Sequence, residues 1–294
     1  MSTKELSKAE IAELARQKEL LARIAELGGQ GVKEDDIVYE GVKIQLPIRW
    51  EGDLDSAINY LAVKRDEEAE TSDFVRAYNY RPYDGARNAF NAMKKAFGMV
   101  AGKTTYTMFG PNRPSYIQVP VSVTETEEVP WGQFTVPLLK HTTINFGATN
   151  NKDYGQVFQI HIQSPRKNKR IIEGLFKLIG EELAANSIYR GHAIDGQSTP
   201  QFIDLRGFDD NKIVYSEQVQ SDLDSNLWSV LRYAEANRKL GLPLKRSILL
   251  TGPYGTGKTL AGTKTAVVAE EAGWTFIMAR PGRDDFTQVM QTAR

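Results

Sequence analysis

The sequence contains no cysteine, and its only histidines are His141, His161 and His192. Without cysteine, disulfides, thiolate catalysis and zinc sites with cysteine ligands are excluded. The three histidines are far apart in the chain, and none has a second histidine beside it. We therefore expect exposed or locally hydrogen-bonded imidazoles, and neither a metal centre nor acid–base catalysis.

Long apolar runs and an excess of charge are also missing. No stretch approaches the roughly 18 apolar residues of a membrane span, and the amino-terminal MSTKELSKAE has no apolar core like that of a secretory signal. Lys and Arg number 37, as do Asp and Glu, so the net charge is zero. This balance creates no overall field for nucleic acid or an acidic membrane. We expect a cytoplasmic, soluble protein with no membrane partner.

The residues that are present suit a globular chain of two or three domains. The chain has 294 residues, of which 41% are hydrophobic and 25% are charged, and both fractions are ordinary for such proteins. The expected segments are an N-terminal helix at 1–30, a mainly helical region at 31–110, an α+β domain at 111–205, a polar linker at 206–216 and a last module at 217–294.

Alternation of apolar and polar residues predicts a β-rich middle of the chain. Phe158, Ile160 and Ile162 should share the buried face of one strand. Pro137 should make its own strand an edge strand at best. The predicted elements are strands at 116–123, 133–139, 142–146 and 157–163, a hairpin turn at 148–153, a helix at 167–185 and a strand at 187–194 that completes a β-α-β unit.

Helical periodicity dominates elsewhere. A capping box, Ser7 with Glu10, begins a predicted helix at 7–27, which either docks on its own domain or forms a partner-binding arm. Residues 53–98 are expected to be helical in pieces, with a break at 81–85 and an amphipathic stretch at 86–97. A long amphipathic helix is predicted at 217–238.

The most informative motif is Gly-Pro-Tyr-Gly-Thr-Gly-Lys-Thr at 252–259, which matches the phosphate-binding loop G-x-x-x-x-G-K-[ST]. Gly255 and Gly257 allow backbone conformations that point successive N–H groups at phosphate oxygens. Lys258 is expected on the β- and γ-phosphates, and the Thr259 hydroxyl on Mg²⁺. The nucleotide-contacting residues that we expect are Gly252, Pro253, Tyr254, Gly255, Thr256, Gly257, Lys258, Thr259 and Leu260.

The flanks of the loop fit the same interpretation. An apolar run at 245–250 has the length of a buried strand. Residues 259–271 are rich in alanine and lack proline, so a helix can begin at the loop and direct its positive end at the phosphates. Strand, loop and helix together predict that the chain binds ATP with Mg²⁺, with Lys258 in the catalytic role.

With these flanks, residues 213–294 resemble the AAA+ ATPases, in particular the AAA branch, although Tyr254 stands where a second proline is usual. The resemblance implies an α/β P-loop core and an ATP hydrolase in a homo-oligomeric, commonly hexameric, ring that remodels proteins. It also implies an N-terminal region that selects a protein substrate or adaptor, and it places 213–215 near the adenine.

The sequence departs from the family after the loop. Lys258 is followed by 36 residues (294 minus 258). They supply a predicted strand at 274–279 and a helix near Asp284-Asp285, which we interpret as an N-cap pair. The acidic strand, sensors, arginine finger and lid of the family are not there. We expect the N-terminal portion of a longer ATPase, with an incomplete, poorly stable core that binds ATP without efficient turnover.

Two other functions stay open at this point. A nucleic-acid-associated ATPase, such as a helicase loader or replication accessory factor, would use the basic cluster at 166–170 (RKNKR). That cluster lacks interleaved aromatic residues, so a solvated helix start explains it as well. A nucleotide-binding scaffold without hydrolysis is the third function.

Overall fold

The computed structural model describes residues 70–98, 115–136 and 138–294, a few isolated helical positions between 59 and 69, and short strands at 35–39, 42–46, 105–107 and 110–112. The predicted helix at 7–27 and the proposed segment 1–30 lie outside these described residues. The two pairs of short strands are β1 (Asp35–Tyr39) with β2 (Val42–Leu46), and β4 (Thr105–Thr107) with β5 (Gly110–Asn112).

A five-stranded antiparallel sheet organises the first part of the described chain. Its strands are β3 (Thr71–Tyr78), β6 (Ser115–Pro120), β7 (Thr126–Thr135), β8 (Thr143–Asn151) and β9 (Gly155–Pro165). They lie in the order β3-β9-β8-β7-β6. The predicted hairpin is confirmed, because β8 and β9 pair from Thr143 opposite Gln163 to Asn151 opposite Gly155. Its turn is at 152–154 and not at the predicted 148–153, because 148–151 belong to β8. The tight turn between them uses Gly155, whose φ is 68°.

Two helices, α1 (Pro82–Phe97) and α2 (Lys169–Asn186), pack on one face of the sheet. As predicted, Phe158, Ile160 and Ile162 on β9 are fully buried beneath them. Pro82 occupies the first turn of α1, where its missing N–H has no intrahelical partner to lose. Sheet and helices thus enclose one large hydrophobic core.

Several predicted elements in this part were wrong. The described residues of 31–110 are not mainly helical, since they include β3 where helical pieces were expected. Strand β7 ends before Pro137 and lies between β6 and β8, so it is not an edge strand. Pairing with β9, which is distant in sequence, decides the outcome for β3, whereas β7 is covered on both sides by its neighbours in the chain, β6 and β8. Local periodicity reports neither pairing.

The predicted β-α-β unit does not form within one sheet. Residues 187–192 are turns, and only Ala193–Asp195 is a strand, β10. It pairs in parallel with β11 (Phe276–Met278), and not with β9. The strand predicted at 274–279 is therefore present as β11. Its hydrogen-bonding partner, β10, lies before the proposed linker at 206–216.

The C-terminal part of the chain is mostly helical. The predicted helix at 217–238 is interrupted by a π-helical turn at Asp224–Trp228 and again at Tyr233, and the π turn directs the Trp228 ring inward. The helices are α3 (Glu217–Leu223), α4 (Ser229–Arg232), α5 (Ala234–Lys239), α6 (Lys258–Glu271) and α7 (Phe286–Ala293).

The strand predicted at 245–250 is not formed. This segment pairs with no strand among the described residues, and Leu249 in it is 86% exposed. A strand needs hydrogen-bonding neighbours, and this segment has none to complete a ladder. The P-loop core of the proposed fold class accordingly stays a prediction. No described helix is long and apolar enough to cross a membrane.

Candidate nucleotide site

The loop at 252–259 has the backbone that its glycines predict. Gly252, Gly255 and Gly257 have φ of 149°, 80° and 84°, conformations that residues with a Cβ rarely adopt. Gly257 is the N-cap of α6, which begins at Lys258. The free N–H groups of the first helical turn, and the positive end of the helix dipole, therefore lie directly after the glycine-rich turn.

The Lys258 side chain folds over the loop. Its Nζ donates to the carbonyl oxygens of Gly252 at 2.9 Å and Pro253 at 2.5 Å. Thr256 Oγ1 donates to the same Pro253 carbonyl at 2.9 Å and lies 3.4 Å from Lys258 Nζ. The ammonium is thus held inside the turn that the glycines form.

Tyr215 contacts the loop from outside it. Its hydroxyl donates to the Gly257 carbonyl at 2.9 Å. Its ring packs so near that a Cβ at position 257 would lie 3.0 Å from Tyr215 Cε1. The segment 213–215 was expected near the adenine, and the structure brings Tyr215 beside the loop itself.

A cleft of about 880 Å³ opens beside the loop. Its walls come from the loop, from 246–251 and from 214–226, including Asp222 and Asn226, which the sequence interpretation missed. Asp222 and Asn226 were missed because the periodicity of 217–238 identifies the apolar face of the helix, and these two residues are polar. Clefts of this size hold nucleotide-sized ligands.

The other expected contact residues are exposed. Tyr254 is fully exposed and projects away from the protein, and Leu260 is 47% exposed. Thr259 lies on the first turn of α6 and is also exposed. Thr259 lies outside the cleft wall, whereas Asp222 lies within it. A hydroxyl and a carboxylate are each oxygen donors of the kind that Mg²⁺ prefers.

A second contact fixes the proposed linker to helix α6. Lys264 is buried, its Nζ lies 2.8 Å from Asp210 Oδ1, and it stands 4.2 Å over the Trp228 ring. The Trp228 indole N–H in turn donates to Thr265 Oγ1 at 3.1 Å. Residues 210–215 are therefore attached to the loop helix at both of their ends.

The acidic pair after the loop has a structural role, as expected. Asp285 caps α7 by accepting from the Thr287 N–H at 2.9 Å. Asp284 accepts from the Arg280 N–H at 2.8 Å and is buried beside Arg283. Neither follows an apolar strand that faces the cleft, so neither supplies the acidic group of an ATPase.

The remaining candidate groups are engaged locally. Arg166 pairs with Glu70 at 3.2 Å, and Lys169 with Glu173 at 3.8 Å, so half of the basic cluster at 166–170 has carboxylate partners. His161 lies 2.8 Å from Asp73, and His192 lies 3.6 Å from Glu270. The described residues contain no group of three or more potential metal ligands.

Comparison with known proteins adds no relative to this picture. No protein-family model matches the chain, and no curated protein matches it significantly. The resemblance to AAA+ ATPases therefore rests on the loop at 252–260 and the residues beside it.

Proposed function

We propose that this chain binds ATP with Mg²⁺ at residues 252–260. The main support is the connection at Gly257 between the glycine-rich turn and helix α6. Three glycines with positive φ form this turn, and α6 begins directly after it, beside the cleft. A turn that leads into a helix in this way directs backbone N–H groups and the positive end of the helix dipole at a bound anion. The triphosphate of ATP is such an anion.

Each loop residue has a physical task in this proposal. The backbone of 255–259 surrounds the phosphates, and Lys258 leaves the Gly252 and Pro253 carbonyls to meet the β- and γ-phosphates. Thr259 supplies a hydroxyl to Mg²⁺, which neutralises phosphate charge when it is bound. Tyr215 holds the Gly257 carbonyl and thereby fixes the start of α6.

The wider function that we propose follows from the resemblance to the AAA branch. The chain acts as the ATP-binding part of an ATP-driven protein remodeller in the cytoplasm, assembled as a ring that is commonly hexameric. The sheet with helices α1 and α2 (the sheet domain) and the residues before it receive the protein substrate or adaptor. ATP is bound without efficient turnover, since Asp284 and Asp285 are engaged at the start of α7 and do not line the cleft.

The test compares wild type with Lys258→Ala, and with Lys245→Ala as a matched control on an exposed lysine outside the cleft wall. ATP at about a hundred times its Kd should stabilise wild type and Lys245→Ala by about 2.7 kcal/mol, seen as a raised Tm. Lys258→Ala should show no comparable shift. Equal shifts in all three proteins would exclude the loop as the site.

A further inference from the structure

A second cavity, of about 410 Å³, lies at the junction between the sheet domain and the C-terminal residues. Its walls come from 79–81 after β3, from 154–157 on the β8–β9 hairpin, from 187–190 after α2, and from 275–277 and 291–294. It shares no residue with the nucleotide cleft. Its volume falls within the range of about 300–1,000 Å³ that is usual for small-molecule sites.

Arg81 brings a buried positive charge into this cavity wall, with a residue exposure of 9%. Its Nη1 donates to the Gln156 carbonyl at 3.2 Å, and its Nη2 donates to the Gln288 carbonyl at 3.5 Å and to Thr292 Oγ1. Within the described residues all of these acceptors are neutral. A buried guanidinium without a carboxylate is costly, and burial lowers the pKa of Arg81.

The buried carboxylate of Asp84 lines the same cavity but is already engaged. Asp84 Oδ1 accepts from Asn88 Nδ2 at 2.6 Å and from the Ile188 N–H at 3.0 Å. Asp84 Oδ2 accepts from the Ser187 hydroxyl at 2.6 Å. The carboxyl group is therefore oriented by these three donors, none of which is Arg81.

Ionisable groups with shifted pKa values gather at this cavity. Burial is the main cause of the shift for Arg81, Asp84 and Tyr189, and it raises the pKa of both Asp84 and Tyr189. All three line the cavity. Such a concentration in a concave site is typical of binding sites, because burial and neighbouring charges are arranged there around a ligand.

We propose that this cavity is a binding site for a small aromatic carboxylate. The carboxylate lies against Arg81 and the exposed Arg190, and the ring packs against Tyr80, Tyr154 and Tyr189 in the wall. The contacts of Arg81 with Gln156, Gln288 and Thr292 use one Nη1 hydrogen and both Nη2 hydrogens, so Nε and the second Nη1 hydrogen are left to donate to a carboxylate. A charge-assisted hydrogen bond of this kind would compensate the buried charge. The tyrosines supply rigid aromatic surface for a flat ligand.

The cavity walls come from the sheet and from helix α7, which are far apart in the sequence. Gln291 and Thr292 belong to α7, whereas Arg81 and Gln156 belong to the sheet domain. A ligand there would contact both, and would stabilise the docked position of α7 by binding it preferentially.

The test uses benzoate as the probe and neutral benzamide as its matched control, measured by isothermal titration on the whole chain. Benzoate lacks phosphate groups, so Lys258→Ala should bind it as wild type does, which keeps this result separate from the nucleotide site. We expect benzoate to bind and benzamide not to bind, because only benzoate carries the charge that Arg81 needs.

Three variants locate the binding. Arg190→Gln should weaken benzoate about tenfold, as expected for the loss of a charged hydrogen bond. Ala293→Phe, at an exposed position in the wall, should fill the cavity and abolish binding. Ala236→Phe, on an exposed face of α5, is the matched control and should bind normally. Absence of benzoate binding to wild type, or equal affinity in all variants, would overturn the proposal.

Discussion

At the scale of single residues, Tyr215 is the contact that most directly supports the loop. Its hydroxyl bonds to the Gly257 carbonyl, and its ring covers the glycine. Tyr215→Phe keeps the ring and removes the hydrogen bond, whose net value is about 0.5–1.5 kcal/mol. We expect ATP affinity to fall by about two- to tenfold.

The matched control is Tyr233→Phe, at a tyrosine that is 62% exposed and absent from the cleft wall. Titration with ATP of both variants and of wild type gives the comparison. Unchanged affinity in Tyr215→Phe would mean that the hydroxyl does not position the loop.

Asp84 gives a prediction about pH at the same scale. Burial raises its pKa, so the folded state retains a proton that the unfolded state has lost above about pH 4. Its contribution to stability is complete below the unfolded pKa and decreases as the pH rises through the folded pKa. Asp84→Asn has no such titration. The free energy of unfolding of wild type minus that of Asp84→Asn should therefore decrease from pH 4 to pH 7.

Urea unfolding of both proteins at several pH values measures this difference. A difference that stays constant, or that grows with pH, contradicts a raised pKa for Asp84. The comparison with the variant removes the pH dependence that all other groups contribute to both proteins.

At the scale of elements, two helical glycines should respond in opposite ways to alanine. A Cβ on Gly85 in α1 would lie 2.1 Å from Phe158 Cβ on β9, whereas a Cβ on Gly262 in α6 meets nothing within 4 Å. We expect Gly85→Ala to destabilise by about 2–3 kcal/mol through overpacking. Gly262→Ala should stabilise by about 0.5–1 kcal/mol, because alanine loses less backbone entropy.

Chemical denaturation of the two variants provides the measurement, and each is the other's control. If Gly85→Ala proved as stable as wild type, α1 would not approach β9 as closely as the structure has it.

The elements that the sequence predicted well are those with strong local patterns. Side chains of strand β9 alternate between the core and the surface. Helix α6 begins directly after Gly257, which has a positive φ and is its N-cap. Strand β3 was missed because its partner β9 lies 80 to 94 residues away, from Tyr78 opposite Phe158 (158 minus 78) to Thr71 opposite Pro165 (165 minus 71). Its edge position leaves Val75 53% exposed, which weakens the pattern.

The segment 245–250 shows the opposite case, in which the local pattern was strong and the strand did not form. An apolar run indicates that a segment tends to be buried. It does not show whether neighbouring strands are present to complete the hydrogen bonds of a β-sheet. The loop glycines were predictable because their conformations are local. The contact of Lys264 with Asp210 was not, since nothing in the sequence links positions that are 54 residues apart (264 minus 210).

At the scale of the whole molecule, the two parts of the described chain differ greatly in their cores. The sheet and its helices share one large buried cluster, whereas the C-terminal cluster consists of Leu223, Trp228, Ala261 and Val268. Because buried apolar area is the main source of stability, we expect 217–294 to unfold at lower urea than the sheet.

Hydrogen exchange read by mass spectrometry at increasing urea tests this order. Amides of α6 should lose protection before those of β8 and β9, and ATP should delay the loss in α6 only. Simultaneous loss in all three elements would mean that the pairing of β10 with β11 and the contacts of Arg81 make one cooperative unit.

The decisive measurement is the Kd of ATP with Mg²⁺ for wild type, Lys258→Ala and Lys245→Ala. We expect saturable binding to wild type and to Lys245→Ala. The affinity of Lys258→Ala should be lower by at least about tenfold, since a charge-assisted contact with the phosphates is removed. Equal affinity in all three proteins, or no binding to wild type, would contradict the assignment of 252–260 as a nucleotide site.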